Sequence, residues 1–187
     1  MNKNIVLIGM PGSGKTTLGE MLSRELKLKL YDVDNFIETN EDKSIAELFK
    51  VSEEHFRSLE TKAIEQISLK KDVIISTGGG VVKSPYNMEI LKKNGLIIFI
   101  NRPVENIITD IATENRPLLK DGTEKIYALY DERYELYKTY CHYEIINDKD
   151  INTTISEIKN LILGTWKKIE IEGALYKEGI IYEDISY

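Results

Sequence analysis

"GMPGSGKTT", Gly9 to Thr17, lies between an apolar run, "NIVLI" (4–8), and a helix-forming stretch, "LGEMLSREL" (18–26). Pro11, Gly12, Ser13 and Gly14 are small or ring-bound, so the stretch builds no core. What such residues expose is backbone N–H. Gly12 and Gly14 can take positive φ at little cost, and a helix that opens directly afterwards adds its own unpaired amides and positive dipole end. The spacing Gly9-x-x-x-x-Gly14-Lys15-Thr16 is a complete P-loop. Gly12, Ser13, Gly14, Lys15, Thr16 and Thr17 are placed to wrap a polyphosphate, with Lys15 reaching the β- and γ-phosphates and the Thr16 hydroxyl a Mg²⁺ ligand. An ordinary glycine-rich turn is the alternative, but here a strand precedes and a helix follows, as nucleotide binding requires.

The same alternation continues along the chain. "NIVLI" (4–8), "LKLYDV" (28–33), "DVIIST" (72–77), "LIIFIN" (96–101) and "YEIIN" (143–147) are short, β-rich and mostly continuous in hydrophobicity, the pattern of strands buried on both faces. Helical patterns lie between them. Thr16–Lys27 puts Leu18, Met21, Leu22 and Leu26 on one face. "SIAE" (44–47) is a capping box, and Ser52 opens a helix with Phe56, Leu59, Ala63, Ile64 and Ile67 on one stripe. Ser84-Pro85 is an N-cap followed by proline at the first helical position, and Pro103 is placed to start another helix. Thr123 opens a tyrosine-rich helix. "TISE" (154–157) is a second capping box, with Gly164 as the stop. Strand–helix alternation predicts a parallel sheet covered on both faces by right-handed crossovers. Beyond Gly164, "TWKKIEIEGALYKEGIIYEDISY" alternates apolar and charged residues, which predicts a β-hairpin turning near Gly173 or Gly179.

The 187 residues suit one domain with an appendage, and 42% apolar residues suffice for a core. A net charge of −6 and a pI near 5.1 speak against general affinity for nucleic acid or anionic membrane, so an anionic ligand needs a local cluster of donors. One cysteine, Cys141, allows no intrachain disulfide, and His55 and His142 do not make a His/Cys metal cluster. No apolar run approaches a membrane span, and Gly9, Pro11 and Gly12 interrupt any signal-peptide core. These features predict a cytoplasmic protein.

Three further features point to chemistry. "DVD" (Asp32–Asp34) ends the second strand, on the sheet edge that faces ligands in open α/β folds. On an extended chain its two carboxylates face the same way, one toward Mg²⁺ and the other toward an acceptor hydroxyl. "STGGG" (Ser76–Gly80) ends the third strand on the same edge, where Gly78, Gly79 and Gly80 let a second ligand lie against the backbone. Of 25 basic residues only Arg24, Arg57, Arg102, Arg116 and Arg133 are arginine. In so lysine-rich a chain, an arginine marks a need for the planar fork that grips carboxylate or phosphate.

In order and spacing, "GMPGSGKTT", "DVD", "FRSLE", "STGGG", "RPLL" and "RYELY" resemble the bacterial shikimate kinases over residues 3–163. The resemblance implies a three-layer α/β/α P-loop domain over 1–164, nucleoside-monophosphate-kinase-like, with a five-stranded parallel sheet and a lid at about 113–123; the short C-terminal extension over 165–187 departs from it, running beyond the family's usual end. It implies transfer of the γ-phosphoryl of ATP to the 3-hydroxyl of shikimate, with Mg²⁺, on the route to chorismate and the aromatic amino acids. Lys15 contacts the phosphates, while Thr16 and Asp32 serve Mg²⁺. Asp34 bonds the shikimate hydroxyls and orients or deprotonates the attacking oxygen. Arg57 and Arg133 grip the carboxylate, Gly78, Gly79 and Gly80 back the ring, and Arg116 in the lid reaches ATP. The stretch 107–115 lacks the arginine that family members often carry before "RPLL", which leaves the adenine contact unassigned. A gluconate or nucleoside-monophosphate kinase is the nearest rival, and a non-catalytic ATP-binding module a more distant one. A monomer is expected, with tail-mediated association as the alternative.

Overall fold

The computed structural model describes residues 3–113 and 123–177. Arg116 and almost all of the expected lid therefore lie outside the described residues, as does 178–187. Five strands form one parallel sheet in the order β2-β3-β1-β4-β5: β1 (Asn4–Ile8), β2 (Lys29–Asp32), β3 (Val73–Ser76), β4 (Gly95–Asn101) and β5 (Tyr143–Ile146). The central strand β1 is buried throughout, as its unbroken apolar run requires.

Period-two alternation divides the core. Val6, Ile8, Ile75, Ile97 and Phe99 pack on one face, against α4 (Glu53–Ser68), α5 (Pro85–Asn94) and α7 (Thr123–Tyr140). Ile5, Leu7, Ile74, Ile98 and Ile100 pack on the other, against α1 (Lys15–Leu26) and α8 (Ile151–Lys177). The remaining helices are α2 (Val33–Glu41), α3 (Ile45–Val51) and α6 (Val104–Thr113). None of the described helices is long and apolar enough to cross a membrane.

Local chemistry explains most element starts. The capping box at Ser44 is complete, with Glu47 N donating to Ser44 Oγ and Ser44 N donating to Glu47 Oε2. Ser52 and Ser84 cap α4 and α5, with Pro85 at the first position of α5.

Three readings need correction. First, β2 ends at Asp32, which caps α2 by accepting from Asn35 N, so Asp34 sits in the first helical turn and not on an extended chain. Second, α8 starts at Ile151 and not at the "TISE" box. Asp150 Oδ1 accepts from Asn152 N and Thr153 N, both at 3.1 Å, and takes the capping role from Thr154, whose hydroxyl turns to Asn147. Third, Gly164 does not end α8, and residues 165–177 are helix, not a β-hairpin. Ile155, Ile158, Ile162 and Trp166, spaced by three, four and four residues, form a helical stripe on the core that carries straight past Gly164. A mid-helix glycine costs about 1 kcal/mol, less than the packing and helix propagation it interrupts.

Candidate active site

The P-loop leaves the carboxyl end of β1 at the middle of the sheet. Gly9, Gly12 and Gly14 have φ of 150°, 79° and 92°, and Gly14 is the left-handed N-cap of α1. No side chain caps α1, so its first amides remain available to an anion. Lys15 is the first residue of α1 and folds back under the loop. Its Nζ donates to Gly9 O at 2.9 Å and Met10 O at 2.8 Å, and only 8% of the residue is exposed. Burial lowers the ammonium to about 8, against the opposing pull of Asp34 and Asp32.

The two carboxylates of "DVD" differ. Asp32 accepts from Thr16 Oγ1 at 2.8 Å through Oδ2, while its Oδ1 caps α2. Asp34 is pushed up to about 6, by burial first and by Asp32 second, against Lys15. Its Oδ1 is buried without a hydrogen-bond donor and lies over Gly78, where a Cβ would come within 2.8 Å of it. A desolvated carboxylate without a donor is held ready to accept a hydroxyl proton.

Two cavities meet at this point. One, of about 510 Å³, is lined by Gly12, Gly14, Lys15, Thr16 and Thr17 together with Arg102, Asn147 and Lys149. The other, of about 750 Å³, is lined by Pro11, Asp32, Asp34, Glu38, Thr77 and Gly79 and shares Gly12, Lys15 and Thr16 with the first.

The glycine loop after β3 packs on the P-loop and the arginines. A Cβ on Gly79 would come within 2.5 Å of Pro11 Cδ, and one on Gly80 would overlap the Arg57 guanidinium. Arg57, on α4, donates from Nη1 to Glu60 Oε2 at 2.7 Å and lies over the rings of Phe49 and Phe56. Arg133, on α7, donates to Gly79 O at 3.3 Å, and Tyr137 donates to the same carbonyl at 2.5 Å. Arg57 and Arg133 thus converge on one glycine loop from two helices.

Sequence reasoning assigned no role to Glu60, Tyr137, Asn147 or Arg102. Glu60 is fully buried, and burial raises its carboxyl above the usual range despite Arg57. Asn147 donates to Ser13 O at 2.9 Å and so braces the P-loop from β5. The only signal for these residues was a polar side chain inside or beside an apolar stripe.

A phosphate loop, a desolvated acid beside it and a second cavity sharing its wall are the parts of a P-loop kinase of a small molecule. A family model described as shikimate kinase matches residues 11–163. The shikimate kinase of Clostridium botulinum (strain Alaska E43 / Type E3) is 51% identical over 163 residues, 87% of this chain and 99% of that protein. A solved structure of the Acinetobacter baumannii shikimate kinase in complex with shikimate is 32% identical, with a TM-score of 0.82 over 88% of this chain and 95% of that one. The chain belongs to the shikimate kinase family. A gluconokinase from Sinorhizobium meliloti 1021, 11% identical with a TM-score of 0.61 over 91% of this chain and 97% of that one, shares the fold alone.

Proposed function

We infer that this chain transfers the γ-phosphoryl of ATP to the 3-hydroxyl of shikimate, giving shikimate 3-phosphate and ADP. The observation that carries the reading is the pair of cavities sharing Gly12, Lys15 and Thr16 as a common wall. ATP enters along the P-loop from one side, and the acceptor meets its terminal phosphate from the other. Family membership supplies the acceptor, and the paired arginines suit its carboxylate.

Phosphoryl transfer through a loose transition state needs alignment and charge neutralisation more than covalent help. Lys15 exchanges its bonds to Gly9 O and Met10 O for phosphate oxygens and carries its positive charge to the transferring group. Asp34 accepts a hydrogen bond from the 3-hydroxyl, turns its lone pair in line and takes the proton as the bond forms. Arg57 and Arg133 hold the carboxylate end, with Gly78, Gly79 and Gly80 beneath the ring. Arg116 is assigned to the ATP phosphates.

The residues fit Mg²⁺. Thr16 Oγ1 and Asp32 Oδ2 stand 2.8 Å apart, with Ser76 Oγ 3.5 Å from the threonine hydroxyl, and these are hard oxygen donors that leave room for retained water. Among the described residues no group of three His, Cys, Asp or Glu side chains could hold a metal without such help. When bound, with Thr16 and Asp32 as its protein-side holders, Mg²⁺ would supply positive charge that offsets that of the phosphates. A monomer in the cytoplasm is part of the same proposal.

The test is ADP release from ATP with shikimate, gluconate or AMP as acceptor. Saturable turnover with shikimate alone is expected. Faster turnover with gluconate or AMP overturns the reading.

A further inference from the structure

The two clamp arginines are joined by more than the glycine loop. Arg57 Nε and Nη2 lie 3.4 and 3.5 Å from Glu53 Oε1, and Lys83 Nζ lies 3.2 Å from that same oxygen. Lys83 Nζ is also 3.3 Å from Glu132 Oε1, and the other oxygen of Glu132 stands 3.6 Å from Arg133 Nε. The order Arg57–Glu53–Lys83–Glu132–Arg133 alternates in sign without a break. It crosses from α4 to α7 through the 3₁₀ turn Val81–Lys83 that follows the glycine loop. Lys83 is 36% exposed, against 55% for Glu53 and 43% for Glu132, so the ladder lies on the rim of the clamp.

We propose that Lys83 is a positioning residue for the acceptor carboxylate: it draws part of the charge of Glu53 and Glu132 away from the two arginines they contact and so sets the placement of their guanidinium groups. This rests on the reading that Arg57 and Arg133 bind that carboxylate.

The physics is competition. Glu53 and Glu132 are anions within reach of the arginines that must receive an anionic substrate. An arginine satisfied by a neighbouring carboxylate has less to offer a ligand. With Lys83 in place, each glutamate divides its attraction between the lysine and an arginine. The Lys83 hydrogen bond is the first cause holding the Glu53 carboxyl below its ordinary range. Without Lys83, both glutamates have, among the described residues, only the arginines to pair with, and the substrate must displace them. Isolated surface pairs contribute little; the effect here comes from the connection between pairs.

The ATP phosphates play no part in this, and neither does Lys15. Lys83 is therefore expected to act on acceptor affinity alone. The backbone of Lys83 contributes separately, since its N–H donates to Gly80 O at 3.1 Å, and a side-chain substitution leaves that bond in place.

The test is steady-state kinetics of the full chain with both substrates varied, for Lys83→Met, Lys83→Arg and the pair Lys83→Met with Glu132→Gln. Lys83→Met is expected to raise KM for shikimate about threefold to tenfold, with kcat and KM for ATP within twofold. Lys83→Arg keeps the shared cation and should stay near wild type. Removing the Glu132 charge in the Lys83→Met background should recover most of the lost affinity, because the competitor for Arg133 is gone. Unchanged KM for shikimate in Lys83→Met overturns the proposal. So does a Glu132→Gln addition that worsens the defect, or a parallel loss for both substrates with a lowered Tm. An inactive wild-type chain, or an Arg133→Lys variant with normal KM, would refute the acceptor reading itself, and the two failures are thus distinct.

Discussion

Asp34 is where activity and stability should oppose each other most sharply. Its carboxyl is raised from an ordinary 3.8 to about 6, so keeping it ionised in the fold costs about 3 kcal/mol at neutral pH. Asp34→Asn removes that cost. It also takes a counter-charge from Lys15, which remains close to Asp32 and bonded to two loop carbonyls. Allowing part of the gain to be lost there leaves about 1–2 kcal/mol. For a chain of this size that raises Tm by about 3–6 °C. Because the folded-state value lies above the unfolded one, the wild-type penalty is absent below about 4, grows between about 4 and 6, and is complete above that. The Tm gain of Asp34→Asn should follow the same course and vanish toward pH 4. Turnover with ATP and shikimate should fall at least about 10²-fold, since an amide accepts no proton. Thermal melts of both ligand-free proteins from pH 4 to 8, beside kcat at pH 7.5, make the comparison. A destabilised variant at pH 7.5, or a gain that ignores pH, would refute the claim that the site holds this carboxylate against its own solvation.

The pH profile of kcat/KM for shikimate should rise through about 6 as Asp34 loses its proton, and KM for ATP should rise above about 8 as the free enzyme's Lys15 loses its own; a flat profile from 5 to 9 would contradict both assignments. Lys15→Ala should nearly abolish turnover while far-UV circular dichroism stays native, so a variant with most of its kcat sinks the P-loop assignment. Arg57→Lys and Arg133→Lys should each raise KM for shikimate about tenfold or more, as a lost fork costs roughly 1.5 kcal/mol, with little change for ATP; equal losses for both ligands would make the arginines structural. Deleting 166–187 should leave kcat/KM within about threefold and lower Tm, because the family match ends at 163 while Trp166 packs on the core beside Ile162; a folded but inactive truncation would place the extension at the active site.

Much of this molecule is legible in the sequence because its signals are local. The five strands, the P-loop, the Ser44 capping box and the serine caps at Ser52 and Ser84 each depend on neighbours within a few residues. Asp34 was picked out for the wrong local reason: it lies near Lys15 because α2 begins at Val33, not because a strand continues. Glu60 and Tyr137 were illegible because their partners are set by tertiary packing. Tyr137 meets a carbonyl fifty-eight residues earlier in the chain, and an acid on a helix reads as solvent-facing until its surroundings are known. The extension was misread because "KIEIE" has period two on the page, whereas the physical period is set by the helix that enters it and the stripe that helix already buries.

The contact between Gly79 and Pro11 has a consequence for how this enzyme can change. The loop assigned here to the phosphate donor and the loop assigned to the acceptor touch with no room for one methyl group. They are packed as one unit, so a change in the shape of either presses on the other. A substitution that reshapes the acceptor side through this loop would shift the P-loop with it and spoil ATP alignment for every acceptor alike. New acceptor specificity is therefore expected to arise at α2 and α4, which reach the acceptor cavity and the glycine loop through side chains, while the glycine loop stays as it is. Selection or design for a different acid should find its productive changes on those helices.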